Sequence, residues 1–166
     1  CVRRGTRIDF SNIDVRTGPG NLSRKQPLAK AMGQPGNSIL DATAGFGHDA
    51  FLLACMGFSV LAIEREPVIH LLLKEALDRA MKDPLLASAV GNRLMVVHGE
   101  AMEAMQSLSE PPDVVYLDPM FKLPGKASAL PRRRAQLLRS IVGEDQDAEA
   151  VFGLALETAR RHVVVK

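Results

Sequence analysis

The spacing of apolar residues changes period several times along the chain. Continuous apolar runs predict β-strands at residues 38–41, 58–63, 93–98, 113–117 and 162–166. Apolar residues at helical spacing predict helices at residues 27–33, 48–56, 67–82, 101–108, 132–142 and 146–161. The stretch before residue 26 has no lasting period, so we expect loop there, apart from a short strand at residues 7–10.

This alternation of strands and helices predicts the fold class. Strands that are apolar on both faces are typical of a parallel sheet covered by helices on both sides. Repeated strand–helix units with right-handed crossovers give a doubly wound, Rossmann-like α/β sheet. We expect a basic N-terminal segment at residues 1–26 and one sheet-forming domain at residues 27–166.

The composition excludes several classes of protein. With 166 residues, 46% of them hydrophobic and 24% charged, the chain fits one folded domain with a sizeable core. No apolar run approaches the ~20 residues of a transmembrane helix and no signal peptide is evident, so we expect a cytoplasmic domain without membrane contact. No Cys or His pair has metal-ligand spacing, so no metal site is expected. Cys55 lies in an apolar helical run and is expected to be a small core residue.

The net charge of +2 conceals an uneven distribution. Residues 1–30 contain seven basic and two acidic side chains, and residues 120–140 contain six basic and no acidic ones. Together these segments carry +11, so the rest of the chain carries −9. Two basic segments on a slightly acidic body indicate a localised surface for a polyanion, with solvated loops and helix faces as the alternative.

An acid follows or ends each of the first four predicted strands. In this fold, ligands bind beyond the carboxyl ends of the strands, near the switch in strand order. After the first strand, Gly45 and Gly47 satisfy the pattern G-x-G-x-x-G/A, which alone indicates only a tight strand-to-helix turn. Glu64 comes 17 residues after Gly47, where a carboxylate can accept hydrogen bonds from both hydroxyls of a ribose. The ligand is therefore of an adenosine type, either a nicotinamide dinucleotide or S-adenosylmethionine.

Asp41 favours S-adenosylmethionine. It lies four residues before Gly45, at the mouth of the first strand, where it would repel a pyrophosphate. The methyl donor has no phosphate, and both its sulfonium and its ammonium gain from a nearby carboxylate. Asp49, next to His48, adds a further acid, although it can instead serve as a helix N-terminal charge. Glu100 is placed to approach the adenine amine, unless it is only a first-turn helix acid.

The segment Asp118-Pro-Met-Phe121 indicates the chemistry. Pro119 fixes its own φ and restricts the residue before it, which makes the loop rigid. Asp118 can then accept hydrogen bonds from an amino group, and Phe121 can stack on a planar base. Accepting those bonds helps to localise the amine lone pair toward the sulfonium methyl, and in-line positioning supplies most of the remaining acceleration. The alternative is a strand-to-loop turn with Phe121 in the core.

Several segments resemble one family of enzymes. The run Asp118-Pro-Met-Phe121 is similar to the D/N-P-P-Y/F motif of class I methyltransferases that act on base amino groups. Four segments resemble ribosomal RNA small subunit methyltransferase J: Asp41-Ala-Thr-Ala-Gly45, Leu28-Ala-Lys-Ala31, Val114-Val-Tyr-Leu-Asp-Pro-Met-Phe121 and Arg161-His-Val-Val-Val-Lys166. That family methylates the exocyclic N2 of a guanine in 16S ribosomal RNA.

The resemblance implies a set of site residues. It implies cofactor contacts at His48, Asp49, Glu64, Arg65, Glu100, Ala101 and Asp118. His48 stands where the family has arginine, and Glu100-Ala101 stands where it has two small hydroxyl residues. The resemblance also implies further strands beyond the fifth, so we expect this sheet to lack the final strands of the usual seven. The basic segments would grip ribosomal RNA phosphates on both sides of the crevice.

Three other functions remain open from the residues alone. Adenine-N6 methylation of RNA or DNA uses the same acid–proline arrangement. A nicotinamide oxidoreductase keeps the glycine pattern and Glu64, but Asp41 opposes it and no catalytic dyad is evident. A non-catalytic RNA-binding domain could keep the fold alone.

Overall fold

The computed structural model describes residues 7–16, 22–23, 25–118 and 148–166. Within these residues five strands and six helices are formed. The strands are β1 Ser38–Asp41, β2 Ser59–Glu64, β3 Leu94–His98, β4 Val114–Leu117 and β5 His162–Val165. The helices are α1 Pro27–Met32, α2 His48–Cys55, α3 Pro67–Ala80, α4 Pro84–Val90, α5 Ala101–Ser107 and α6 Ala148–Thr158.

All five strands are parallel, in the order β3-β2-β1-β4-β5. The chain moves outward from β1 to β3 and then returns to the other side of β1 for β4. The strand order therefore reverses between β1 and β4, and the crevice expected for a ligand opens at their carboxyl ends. This arrangement confirms the predicted doubly wound α/β sheet.

Alternation of side chains along the strands produces two hydrophobic clusters, one on each face of the sheet. Helices α1 to α4 cover the face that includes Ile39 and Tyr116. Helices α5 and α6 cover the opposite face, which includes Leu40 and Leu117. All four residues of β4 are buried, as expected for a strand near the middle of a covered parallel sheet.

The amino ends of three strands are tied together by Asp113, which precedes β4. Its carboxylate accepts hydrogen bonds from the Ser38 backbone N–H at 2.9 Å and from the Ser38 hydroxyl at 3.1 Å. It also pairs with Arg161, just before β5, at 3.2 Å. Those hydrogen bonds and nearby arginines hold the pKa of Asp113 below its usual value. The polar anchor lies at the amino edge, which leaves the carboxyl edge available for a ligand.

The predicted strand at residues 7–10 is wrong, because this stretch is irregular and pairs with no strand. Its alternation has another cause: Ile8 and Phe10 are buried in the α1–α4 cluster. Phe10 stacks on Phe51 of α2 with ring centroids 4.2 Å apart. The Ile8 carbonyl oxygen accepts a hydrogen bond from the Arg79 side chain at 2.7 Å. The division of the chain at residue 26 stays a prediction, but these two side chains belong to the main core.

Helix α4 was not predicted from the sequence. The pair Asp83-Pro84 was interpreted only as the end of the preceding helix. In the structure, Asp83 also caps α4, accepting hydrogen bonds from the N–H groups of Leu85 at 2.9 Å and Leu86 at 3.3 Å. An acid followed by proline is a helix-start signal, so it could have been found.

Other predictions meet the structure in part. The helix predicted at residues 146–161 is observed as α6, which ends at Thr158, three residues before the predicted end. Residues 146–147 lie outside the described residues. The helix predicted at 132–142 and the basic segment at 120–140 lie outside the described residues. In the part of the chain that the structure describes, no helix has the length and apolarity needed to cross a membrane.

Replacing Phe10 with Ala tests whether the N-terminal segment is part of the core. We expect the free energy of unfolding to fall by about 3–5 kcal/mol, the usual cost of deleting a buried phenyl ring. Denaturant unfolding measures this change. Val68→Ala is the control, because Val68 is 58% exposed and its loss should change stability by less than about 0.5 kcal/mol. Equal, small effects of both substitutions would show that Phe10 is not a core residue.

Candidate cofactor and active site

Four charged side chains lie on one face of the sheet at its carboxyl edge. Each of them follows, two residues later along the chain, a side chain of the α1–α4 cluster or one packed against it, so it points to the same face. The pairs are Ile39 and Asp41, Ala62 and Glu64, Tyr116 and Asp118, and Val164 and Lys166. Asp41 pairs in register with Ala62 and Tyr116, so it lies one pleat deeper than Glu64 and Asp118. Because Leu117 pairs with Val165, Asp118 and Lys166 are neighbours across β4 and β5. Because alternate side chains of a strand point to the same face, these four groups all point into the space beneath the start of α2.

The loop between β1 and α2 is held to both neighbouring strands. The N–H of Ala42 donates to the Tyr116 carbonyl at 3.1 Å, and the N–H of Ala44 donates to the Ile63 carbonyl at 3.0 Å. Gly45 and Gly47 follow with positive φ of 52° and 70°, a region that favours glycine.

Gly47 has a second reason to be glycine. A Cβ at this position would overlap the Leu73 side chain of α3. The glycine turn is therefore a tight strand-to-helix turn with α3 packed closely against it.

Asp41 is the most deeply buried of the carboxylates, with 1% of its surface exposed. Burial raises the pKa of Asp41 to about 7, against a hydrogen bond from the Thr43 N–H that lowers it. The negative charges of Asp49, Asp118 and Glu64 raise it further. A carboxylate in these surroundings gains when a positive charge arrives, because its desolvation and its repulsion by other acids are both offset.

Glu64 lies at the end of β2 and is only 6% exposed. Burial raises its pKa, while hydrogen bonds from the backbone N–H groups of Glu66 and Gly45 lower it. The Glu66 bond measures 2.8 Å to Oε1. These bonds fix the carboxylate next to the glycine turn, while the predicted contact of Glu64 with a ribose stays a prediction.

A second group of polar side chains connects α2 with β4 and β5. The Tyr116 hydroxyl donates to Oδ2 of Asp49 at 2.6 Å. The Lys166 ammonium donates to the same oxygen at 2.7 Å and lies 3.3 Å from Oδ2 of Asp118. Asp49 is thus more than a helix N-terminal charge, since two donors on neighbouring strands converge on it.

Asp118 is also fixed through its main chain. Its N–H donates to the Thr43 hydroxyl at 2.7 Å, which joins the end of β4 to the glycine loop. Burial raises the pKa of Asp118, the Lys166 ammonium lowers it, and the Asp49 carboxylate raises it.

Sequence reasoning did not assign Thr43, Tyr116 or Lys166 a role in the site. The sequence could have indicated Tyr116 and Lys166, because the alternation along the strands places both on the same face of the sheet as Asp118.

The remaining predicted residues lie around this centre. His48 begins α2 and packs edge-to-face against Phe10, with ring centroids 5.6 Å apart. Arg65 follows Glu64, and its carbonyl oxygen lies 3.0 Å from Nε2 of His98. Glu100 is exposed and precedes α5, which begins at Ala101. Pro119 and Phe121 lie outside the described residues.

Cys55 lies away from these groups. It is partly buried and packs against the core, as predicted, and burial raises the pKa of its thiol to about 12. Among the described residues, no three His, Cys, Asp or Glu side chains are grouped as metal ligands would be.

The arrangement suits a ligand that is cationic and carries a ribose. Buried Asp41 offers an uncompensated negative environment, and Glu64 offers a fixed acceptor beside a close-approach glycine loop. A diphosphate would meet three acids, Asp41, Asp49 and Asp118, opposed among the described groups by the ammonium of Lys166, at the point where a dinucleotide turn needs neutral or positive surroundings. The residues present therefore fit S-adenosylmethionine better than a nicotinamide dinucleotide.

Comparison with known proteins agrees with this chemistry. A family model described as "putative SAM-dependent methyltransferase" matches residues 4–166. The chain belongs to that family. Its cofactor class confirms the expectation of S-adenosylmethionine, while the contacts of individual residues with the cofactor stay predictions.

Curated relatives named ribosomal RNA small subunit methyltransferase J are similar over most of the chain. The relative from Magnetococcus marinus is 45% identical over 152 residues, which is 90% of this chain and 59% of that protein. The relative from Stutzerimonas stutzeri is 49% identical over 145 residues, covering 85% of this chain and 55% of that protein. The resemblance inferred from the motifs is confirmed. The chain spans less than two thirds of the length of these relatives.

A solved structure supports the fold. The crystal structure of a SAM-dependent methyltransferase from Neisseria gonorrhoeae has a TM-score of 0.67 and 30% identity with this chain. The match covers 99% of this chain and 62% of that one.

The unfavourable position of the Asp41 carboxylate predicts a change in stability with pH. Because the folded pKa of about 7 exceeds the ordinary 3.8, Asp41 should lower the free energy of unfolding as pH rises from 4 to 7. Asp41→Asn should remove this loss and make the ligand-free chain more stable at pH 8, by an amount on the order of a few kcal/mol. Denaturant unfolding at pH 5 and pH 8 measures it. Asp78→Asn, at an exposed position of α3, is the control, and parallel curves for all three chains would contradict the role of Asp41.

Proposed function

We propose that this chain takes part in S-adenosylmethionine-dependent methylation of the exocyclic N2 amine of a guanine in 16S ribosomal RNA. The observation that supports it most is the placement of Asp118 beside the acidic crevice, in a family of SAM-dependent methyltransferases whose curated relatives are named for ribosomal RNA of the small subunit. Ribosomal RNA as the partner implies a cytoplasmic location.

The cofactor would be held by residues on three strand ends. Glu64 would accept hydrogen bonds from the ribose hydroxyls, with Arg65 beside it. The loop containing Gly45 and Gly47 would allow close approach, with His48 and Asp49 at the start of α2. Asp41 would balance positive charge, and Glu100 and Ala101 would face the adenine. When bound, S-adenosylmethionine supplies an electrophilic methyl group on a sulfonium.

Asp118 would act on the substrate amine. The amine of guanine is a poor nucleophile, because its lone pair is delocalised into the ring. A carboxylate acceptor held at a fixed position orients the N–H groups and directs the lone pair toward the methyl group. Pro119 would keep this segment rigid and Phe121 would stack on the base. The methylated amine can lose its proton to water, so no residue is assigned as a base.

The two basic segments, residues 1–30 and 120–140, would bind RNA phosphates. Phosphate contacts set orientation and affinity, whereas contacts to base edges set specificity. The body of the chain, with its net negative charge, would leave the binding of RNA to these segments.

Analysis of modified nucleosides tests the proposal. The chain is incubated with S-adenosylmethionine and small ribosomal subunits or 16S ribosomal RNA that lack the modification, and the RNA is digested for mass spectrometry. We expect N2-methylguanosine, with Asp118→Ala lowering the rate by about 10²-fold because the acceptor for the amine is lost. Asp78→Ala is the matched control and should keep the wild-type rate.

Two outcomes would overturn the proposal. N6-methyladenosine as the product would replace guanine N2 with the adenine reaction, which uses the same acid–proline arrangement. An unchanged rate in Asp118→Ala would remove the proposed role of that side chain.

The state of Asp41 predicts a pH-dependent preference between cofactor and product. The positive sulfonium of S-adenosylmethionine gains from ionised Asp41, whereas the neutral sulfur of S-adenosylhomocysteine does not. We therefore expect the ratio of their affinities to rise with pH through about 7, the pKa of Asp41. Calorimetric titration between pH 6 and pH 8 measures both ligands, and Asp41→Asn should flatten the trend. A ratio that does not depend on pH in the wild-type chain would contradict this interpretation.

A further inference from the structure

Lys166 occupies the carboxyl edge of the sheet at the level of Asp118. Its backbone N–H donates to the Leu117 carbonyl at 3.0 Å, which continues the pairing of β4 with β5. Its ammonium lies between two acids, 2.7 Å from Oδ2 of Asp49 and 3.3 Å from Oδ2 of Asp118. The main chain therefore fixes the origin of the side chain, and the two carboxylates fix its end.

We propose that Lys166 is a positioning residue for Asp118: its ammonium bridges the carboxylates of Asp118 and Asp49 and orients the Asp118 side chain toward the substrate amine. This inference rests on the proposed function, which it deepens by naming the group that sets the geometry of the amine acceptor. Lys166 acts through Asp118 and is not itself assigned a contact with the reacting atoms.

The geometry supports this role because Asp118 is constrained at both of its ends. The Thr43 hydroxyl accepts from the Asp118 main-chain N–H at 2.7 Å, and Lys166 holds the carboxylate. Tyr116 completes the arrangement, since its hydroxyl donates at 2.6 Å to the same Asp49 oxygen that Lys166 contacts. Without the bridge, the Asp118 carboxylate could rotate about its side-chain bonds and would lose this orientation.

Charge supports the same role. Asp118 interacts electrostatically with four described titratable groups: Lys166 after β5, Asp49 on α2, Asp41 on β1 and Tyr116 on β4. Asp49 and Asp41 are acids, the Tyr116 hydroxyl is a neutral donor whose pKa is raised by burial and by these acids, and Lys166 is the cation opposing the acids. Burial lowers the pKa of Lys166, but its bonds and charge interactions with Asp49 and Asp118 outweigh this and raise it, so the ammonium stays charged.

A titration of the ligand-free chain tests the bridge directly. Carbon-13 NMR of the aspartate carboxyl groups, assigned with Asp118→Asn and Asp49→Asn, is followed with pH in wild type, Lys166→Met, Lys166→Arg and Lys82→Met. We expect Lys166→Met to move the titration of Asp118 to higher pH, because the cation is lost while the neighbouring acid remains. Lys166→Arg should restore the wild-type midpoint.

Lys82→Met is the matched control. Lys82 is exposed beyond the far end of α3, separated from the site by about 20 Å of helix. Its loss should leave the titration of Asp118 unchanged. An unchanged Asp118 midpoint in Lys166→Met would overturn the proposal.

A second variant keeps the test decisive if Lys166→Met does not fold. In Asp49→Asn one acid is removed while Lys166 is kept, so the midpoint of Asp118 should move to lower pH. No movement, or movement to higher pH, would show that the three groups do not form one bridge.

Cofactor binding and methyl transfer then separate this inference from the proposed function. Lys166→Met should lower kcat by about 10²-fold through misplacement of Asp118, and should move the acid limb of the pH–rate profile upward, with Lys166→Arg partly rescuing both. If the wild-type chain neither binds S-adenosylmethionine nor methylates RNA, the proposed function fails, while the ligand-free titration still decides whether the bridge exists. If wild type is active and Lys166→Met retains its rate and profile, the positioning role fails alone.

Discussion

The desolvation of like charges at one edge of a parallel sheet is the constraint on which the site depends. Asp41 and Glu64 are buried, and Asp49 and Asp118 lie close enough to raise the pKa of Asp41. Such a group is unfavourable unless the fold holds it in place, and the parallel pairing of β1 with β2 on one side and β4 on the other does so. The cost is offset by the core on both faces of the sheet. What the protein gains is a crevice whose acids are positioned before a cationic ligand enters.

This constraint explains how the two motifs cooperate. The glycine loop brings backbone close to the crevice, and the residue that follows β4, Asp118, supplies the acid proposed to act on the substrate. The Thr43 hydroxyl joins them, because it belongs to the first motif and accepts from the main chain of the second. A shift of either motif would therefore move the other. The distance between the glycine loop and Asp118 is set by this contact as well as by the two strands.

Much of the fold could be predicted because its strands are continuous apolar runs and their ends carry acids. The strand alternation that gathers Asp41, Glu64 and Asp118 was implicit in the same pattern. Other features depend on contacts between distant segments. Phe10 stacks on Phe51, a contact that no local period encodes, and the alternation of Ile8 and Phe10 was therefore interpreted as a strand. The contact of Lys166 with Asp49 joins residues separated by 117 positions. Helix α4 was missed for a different reason: Asp83 follows shortly after α3, which ends at Ala80, and also caps α4.

The hydrogen bonds that build the site have a consequence for folding. Tyr116 and Asp49 are 67 positions apart, and Asp118 and Thr43 are 75 apart. Loops of this length close late and at a cost in entropy, so contacts of high sequence separation form only as the sheet itself is completed. During synthesis, the glycine loop would leave the ribosome well before β4 and β5, with its acids still solvated and apart. The ability to bind a cofactor would thus appear near the end of folding. It would be a property of the completed sheet and not of the glycine loop alone.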